Sequence, residues 1–358
     1  MTAGPVLLQN DGVLPLAPGS RLAVVGPNGD DVAALLGDYV PPLRPGEGTS
    51  VLAGLRARYA DVTFEAGCDL RAPVEGGLDR AAALAAAADV TVLVVGSSSA
   101  RSYDDDFAEN GAAAVGPRRA HATSGEGYDL ADVKLPAAQR ELAERVAATG
   151  TPVVAVVVSG RPLGIGRLAE LCSAVLYAWY PGPEGGQATA ALLSGEREPT
   201  GRLPVSLPRS SGTLPVAYNQ RLETVARYID AEASPLFPFG AGCGYATFAL
   251  GAANVTGRYP DVGVTAELAN RSDRSGTTVV QLYGRATGQA VVPRQGVLLG
   301  HAHVTLAAGA AAPVTVAVSP LALPGLGSPQ SGELELWLSL DGPGRPAEPL
   351  RVPLGPSA

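Results

Sequence analysis

Pro152-Val153-Val154-Ala155-Val156-Val157-Val158 is apolar at every position. A strand with one wet face alternates, so a run without a polar residue belongs in a parallel sheet covered on both faces. Working outward, Val90-Thr91-Val92-Leu93-Val94-Val95 and Ala174-Val175-Leu176-Tyr177-Ala178 repeat the pattern, and 21–25 and 61–65 read as shorter strands. Helical stretches lie between them at 78–88, 137–148 and 184–193. Asp30 and Asp31 offer N-cap chemistry for a further helix through Leu35-Leu36. The alternation predicts a doubly wound α/β sandwich over residues 1–210, its sheet mostly parallel with helices on both faces.

The character changes after residue 210. Pro235, Pro238, Gly240, Gly242 and Gly244 mark an irregular linker over 211–245. Beyond it the period becomes two, as in Val262-Val264-Ala266-Leu268. Strands at 278–283, 303–306, 313–318 and 334–338 complete an all-β sandwich of immunoglobulin or fibronectin type III kind over 246–358. His301 and His303 alternate along one of these strands and are expected to share a solvent face.

Composition narrows the function classes. A net charge of -8 argues against nucleic acid as a partner. No apolar run reaches the ~18–20 residues of a membrane span. The N-terminus lacks a basic region and an apolar core, so a cytoplasmic location is expected. Cys68, Cys172 and Cys243 are odd in number and widely spaced, as free thiols in a reducing compartment would be. Gly26-Pro27-Asn28-Gly29 lacks the GxGxxG and GK[ST] spacings of phosphate cradles and reads as a turn. The acidic cluster Asp104-Asp105-Asp106 with Glu109 lacks calcium-loop spacing and reads as a solvated face. No cofactor and no metal are expected.

After Gly96 comes Ser97-Ser98-Ser99-Ala100-Arg101, and roughly forty residues pass before the helix at 137, against the usual ~2–6 for a βα loop. Loops at the carboxyl ends of parallel strands are where α/β folds place their chemistry. Within this one, Ser124-Gly125-Glu126-Gly127-Tyr128-Asp129 sets a carboxylate between glycines. Such a group is either a solvated surface charge or a general acid able to swing into a neighbouring site. Trp179, in Trp179-Tyr180-Pro181-Gly182-Pro183-Glu184-Gly185-Gly186, either stacks on a sugar ring or packs a strand–helix corner. Arg161 either grips a carboxylate or forms a surface ion pair.

Taken in order, the motifs resemble the C-terminal half of glycoside hydrolase family 3, the β-glucosidases and β-xylosidases. Val6-Leu7-Leu8-Gln9-Asn10-Asp11-Gly12-Val13-Leu14-Pro15-Leu16 is similar to the family's VLLKNDGxLPL, and Ala23 to Asn28 to its AVIGPNA. Gly96 to Arg101 and Ser124 to Asp129 resemble GxSSAR and GEGxDR. Leu135-Pro136-Ala137-Ala138-Gln139, Trp179 to Gly182, Gly201 to Ser206 and Pro235 to Gly240 resemble LPGxQ, WYPGxEGG, GRLPVSxP and PLYPFG. Two positions depart from the pattern: Leu130 follows Asp129 where the family has Arg, and Ala241-Gly242-Cys243-Gly244 replaces a segment containing His and Ser.

The resemblance implies an α/β sandwich domain plus a fibronectin type III-like domain, without the family's (β/α)8 barrel. It implies a retaining β-glycosidase in which Glu126 is the acid/base carboxyl and the barrel supplies an Asp nucleophile. Ser98, Arg101, Asp129 and Trp179 become candidate substrate contacts. The implied partners are a barrel-bearing half, as a separate subunit or a missing segment, and a β-glycoside. The alternative is an inactive carbohydrate-binding or protein-interaction module derived from the same family.

Overall fold

The computed structural model describes residues 4–41, 43–44, 46–100, 109, 122–221, 228–288, 292–322 and 332–354. The chain divides into two compact units, Met1–Gly201 with Arg209–Gly212, and Arg202–Pro208 with Thr213–Ala358.

The first unit runs β1 (Val6–Asn10), β2 (Leu22–Val25), α1 (Val51–Arg56), β3 (Val62–Glu65), α2 (Gly77–Ala87), β4 (Val90–Gly96), α3 (Ala137–Ala147), β5 (Val153–Val158), α4 (Gly166–Leu171), β6 (Ala174–Trp179) and α5 (Gly185–Leu193). Its six strands lie in the order β1-β6-β5-β4-β2-β3. All neighbours are parallel except β1, which runs antiparallel along β6. Every residue of β4 and β5 is buried, as their apolar runs require. α1 packs with α5, whereas α2 packs on α3 and α3 on α4. Right-handed crossovers place these two groups on opposite faces, because the chain moves one way from β2 to β3 and the other way from β3 through β6. The reversal falls between β2 and β4, where doubly wound sheets open a crevice at the strands' carboxyl ends.

Residues 30–36 depart from the helix expected there. Asp31 Oδ1 does accept from the Ala34 N–H at 3.2 Å, yet only a 3₁₀ turn forms over Ala33–Leu35, and Leu36 is already extended. The helix of this crossover begins instead after Ser50, whose Oγ accepts from the Ala53 N–H at 3.1 Å and donates to Asp30 Oδ1 at 2.6 Å. Cys68 and Cys172 are buried free thiols. Burial pushes both up to about 12.

The second unit is the antiparallel sandwich. It comprises β7 (Phe248–Arg258), β8 (Asp261–Asn270), β9 (Gly276–Thr287), β10 (Val297–Leu306), β11 (Ala311–Ala317), β12 (Glu333–Ser339) and β13 (Leu350–Pro353). A four-stranded sheet, β10-β9-β12-β13, faces a three-stranded one, β11-β8-β7. Val264, Leu268, Val280, Leu282, Leu299 and Leu336 belong to the apolar core they share. His301 and His303 on β10 are both exposed. Among the described residues, no helix is long and apolar enough to cross a membrane.

One ion cluster braces the four-stranded sheet. Glu335, its side chain 5% exposed, accepts from Arg285 at 2.6 Å and from Arg345 at 3.0 Å. Burial alone would push its carboxyl up, but hydrogen bonds from Arg345 and Arg285 hold it below the ordinary value of 4.5. A carboxyl depressed in the folded state stabilises fully above its unfolded value and loses that contribution as pH falls through the folded one. Acid titration followed by Trp337 fluorescence is therefore expected to show stability dropping below about pH 4.5. In Glu335→Gln that acid-dependent component disappears; an unchanged acid profile would show that the cluster does not govern it.

Candidate active site

The carboxyl end of β4 is shaped by backbone crowding. Gly96 has φ +150°, and a Cβ there would sit 1.8 Å from the Val158 carbonyl oxygen, so only glycine fits between β4 and β5. The fully buried Gln139 of α3 closes the corner. Its Oε1 accepts from the Gly96 N–H at 2.8 Å, and its Nε2 donates to the carbonyls of Gly96 at 2.9 Å and Leu70 at 2.8 Å. On the other side of the crevice Gly26 presses against β4, where a Cβ would meet the Val94 carbonyl oxygen at 2.1 Å. Asn28, fully buried, donates from Nδ2 to the Ser97 carbonyl at 3.1 Å. The Gly26–Gly29 turn is thus tied to β4 and to the start of the long loop.

The long loop leaves and returns beside this corner. Ser97, Ser98 and Ser99 are buried. The Ser98 N–H donates to Thr123 Oγ1 at 3.0 Å, and the Thr123 N–H donates back to the Ser98 carbonyl at 2.8 Å. This reciprocal pair staples the two arms together. Tyr180, directly after β6, adds a second tie: its hydroxyl lies 2.8 Å from Ser124 Oγ and 3.3 Å from Ser97 Oγ. Its ring lies over Gly160, where a Cβ would come within 2.3 Å of it.

Glu126 follows the staple by three residues and is exposed. Its flanking glycines serve as more than a swivel. Gly125 and Gly127 have φ of +115° and +76°, the left-handed region that side chains avoid. Asp38 Oδ2 accepts from the Glu126 N–H at 2.7 Å, and the Tyr39 hydroxyl donates to Glu126 Oε2 at 2.5 Å. The carboxyl is held at the rim of the sheet, at the reversal point, and faces outward.

The other candidates divide. Ser98 is structural in its contacts, with its Oγ accepting from the Ala100 N–H at 3.2 Å. Asp129 is fully exposed and lies 3.7 Å from Arg161 Nη1, while Arg161 Nη2 donates to the Tyr128 carbonyl at 2.8 Å. A cation therefore stands beside the loop although Leu130 occupies the family's Arg position. Trp179 ends β6 with φ +58°, and its ring packs on Tyr177 at 4.7 Å between centroids. Its buried Nε1 finds no acceptor among the described residues. Arg101 and Asp104-Asp105-Asp106 lie outside the described residues.

A cavity of ≈ 440 Å³ opens on the α3 side of the loop, bounded by Ser97, Tyr128, Asp129, Arg71 and Arg140. Glu126 and Trp179 are not on its wall. Sequence reading missed Tyr180, Asp38 and Tyr39. The first stands in a motif already quoted, whereas nothing local marks a contact formed across 87 or 88 residues.

Residues 5–245 match the glycosyl hydrolase family 3 C-terminal domain. A β-xylosidase of Formosa agariphila is 34% identical over 331 residues, covering 85% of this chain and 42% of that relative. The periplasmic β-glucosidase of Salmonella typhimurium is 31% identical over 319 residues, with 78% and 39% covered. The crystal structure of a β-glucosidase from Listeria innocua in complex with isofagomine superposes with a TM-score of 0.82 at 28% identity, covering 98% of this chain and 48% of that one. The chain thus spans about four-tenths of the length of these curated relatives.

Proposed function

Because the chain belongs to glycosyl hydrolase family 3, matching its C-terminal domain, we propose that it is the acid/base half of a retaining β-glycosidase acting on β-glucosides or β-xylosides. The observation that carries this reading is Glu126 itself, a clamped, outward-facing carboxyl at the sheet reversal in a chain of this family. In a retaining mechanism two carboxyls ~5–5.5 Å apart share the work, one as nucleophile and one as acid then base. Here Glu126 would protonate the departing glycosidic oxygen and later deprotonate the incoming water. The nucleophile would come from a barrel-bearing half. Lodging the two groups on separate bodies lets their closure set the spacing and exclude water.

A retaining mechanism needs a nucleophile as well as an acid, and the Asp38 carboxylate beside Glu126 is engaged with the Glu126 N–H, so the reading assigns the nucleophile to the partner half. Reconstitution tests this. The 358-residue chain is assayed on aryl β-glucoside and β-xyloside, alone and with the region of a β-glucosidase relative that it does not cover. The expected result is turnover only when both are present. Full turnover by the chain alone would refute the shared site, and no turnover with any barrel half would favour the non-enzymatic module.

A further inference from the structure

Glu126 is gripped at two places by two consecutive residues from a distant stretch of chain. Asp38 takes the backbone N–H at 2.7 Å, and Tyr39 takes the carboxyl head at 2.5 Å. The grip depends on Gly125: a Cβ at its φ of +115° would lie 2.9 Å from Asp38 Oδ2, inside the carboxylate's contact distance. The glycine and the aspartate are therefore matched, one vacating the space the other enters. Tyr39 is 80% exposed, so burial of its ring does not account for where its hydroxyl lies.

We infer that Tyr39 is a positioning residue for the acid/base carboxyl, its phenol fixing the direction in which the Glu126 head group points while Asp38 fixes the backbone beneath it. This rests on the acid/base reading of Glu126. A glutamate side chain has three rotatable torsions and on an exposed rim would spread over several rotamers. Anchoring the backbone alone leaves those torsions open. A hydroxyl donor on Oε2 removes them, and it does so in both stages of the reaction. In the first stage, the carboxyl proton passes to the glycosidic oxygen as the C–O bond breaks and its electron pair leaves with that oxygen. Oε2 accepts from Tyr39 before and after. In the second stage, the carboxylate takes a proton from water as the water oxygen bonds to the anomeric carbon and displaces the enzyme nucleophile. The phenol keeps its own proton throughout. Its contribution is orientation, together with a charge-assisted hydrogen bond that strengthens when Glu126 is ionised.

Two measurements test this. In the 358-residue chain with ¹³C-labelled glutamate carboxyls, the Glu126 resonance is assigned by its loss in Glu126→Gln. Tyr39→Phe is expected to shift that resonance and leave the other glutamates and the melting temperature unchanged. In the assembly with a barrel half, Tyr39→Phe is expected to lower kcat on an alkyl β-glucoside by about 10–100-fold, the size of losing a hydrogen bond to a charged group. KM on the alkyl glucoside and the dinitrophenol burst from a dinitrophenyl glucoside, whose leaving group needs no proton, are expected to hold. Steady turnover of the dinitrophenyl glucoside slows, because the base stage also loses its orientation. An unmoved resonance overturns the contact. An unchanged alkyl-glucoside kcat, where Glu126→Gln abolishes it, overturns the positioning role alone. Unimpaired turnover by Glu126→Gln instead removes the acid/base reading, and the inference with it.

Discussion

Glu126→Gln in the assembled glycosidase is expected to lower kcat/KM on an alkyl β-glucoside by about 10²–10⁴-fold, the contribution of a positioned general acid. That corresponds to roughly 3–5 kcal/mol of transition-state stabilisation. The substitution is close to isosteric. The backbone N–H still reaches Asp38, and the amide oxygen can still accept from Tyr39, so the geometry is retained and only the exchangeable proton is lost. Leaving-group chemistry then separates the two roles of one residue. A dinitrophenol departs without protonation, so formation of the glycosyl-enzyme should survive the substitution. Its hydrolysis should not, because no base remains to activate water. The expected trace is a burst of one equivalent of dinitrophenol followed by slow turnover. Steady turnover at the wild-type rate on the alkyl substrate would assign Glu126 to the surface and leave the catalytic carboxyl unidentified.

The second large effect is on stability. Gln139→Leu removes one acceptor and two donor contacts at a fully buried position. The Gly96 N–H and the carbonyls of Gly96 and Leu70 lose these partners in the interior. Each unsatisfied group costs about 1–3 kcal/mol, so the total for the three is expected at about 3–9 kcal/mol. This is a large share of the ~5–15 kcal/mol that holds a domain together. The chain carries one tryptophan in each unit, Trp179 and Trp337. In a Trp337→Phe background, Trp179 fluorescence follows the first unit alone through urea unfolding. A midpoint shift worth less than about 1 kcal/mol, the range of an ordinary exposed ion pair, would mean that the corner relaxes around the loss.

How much of this was readable in advance follows from the range of the forces involved. β4, β5 and β6 were legible because a strand buried on both faces has little place for polar residues, and that constraint acts residue by residue. The helix near Leu35 was misread for a related reason. Asp31 supplies a genuine cap, but a cap specifies where a helix may start and says nothing of its length. Whether a helix continues depends on what it packs against; at Leu36 the chain turns extended, and the helix that packs on α5 starts at Ser50. β1 escaped notice because five residues beside β6 gain their structure from that neighbour.

The candidate site shows the same division. Glu126 was visible because glycines on both sides are a local signal. The sequence suggested that they supplied mobility; the structure gives them positive φ and a carboxylate pressed against one of them. Asp38 and Tyr39 could not have been found from the sequence alone, since no spacing rule joins residues that far apart. Gln139 lay between these cases. It stands in a recognisable motif, but its task, completing the hydrogen bonds of a strand end, emerges only with Gly96 and Leu70 in place.

The staple between Ser98 and Thr123 also uncouples the length of the loop from the place of the site. With the two arms joined ahead of Glu126, material gained or lost between them changes a closed excursion and leaves its exit point fixed. Doubling such an excursion costs only about 0.6 kcal/mol in closure entropy. A designer could therefore graft a foreign segment into the stretch after Arg101 while the acidic residue beyond the staple keeps its address.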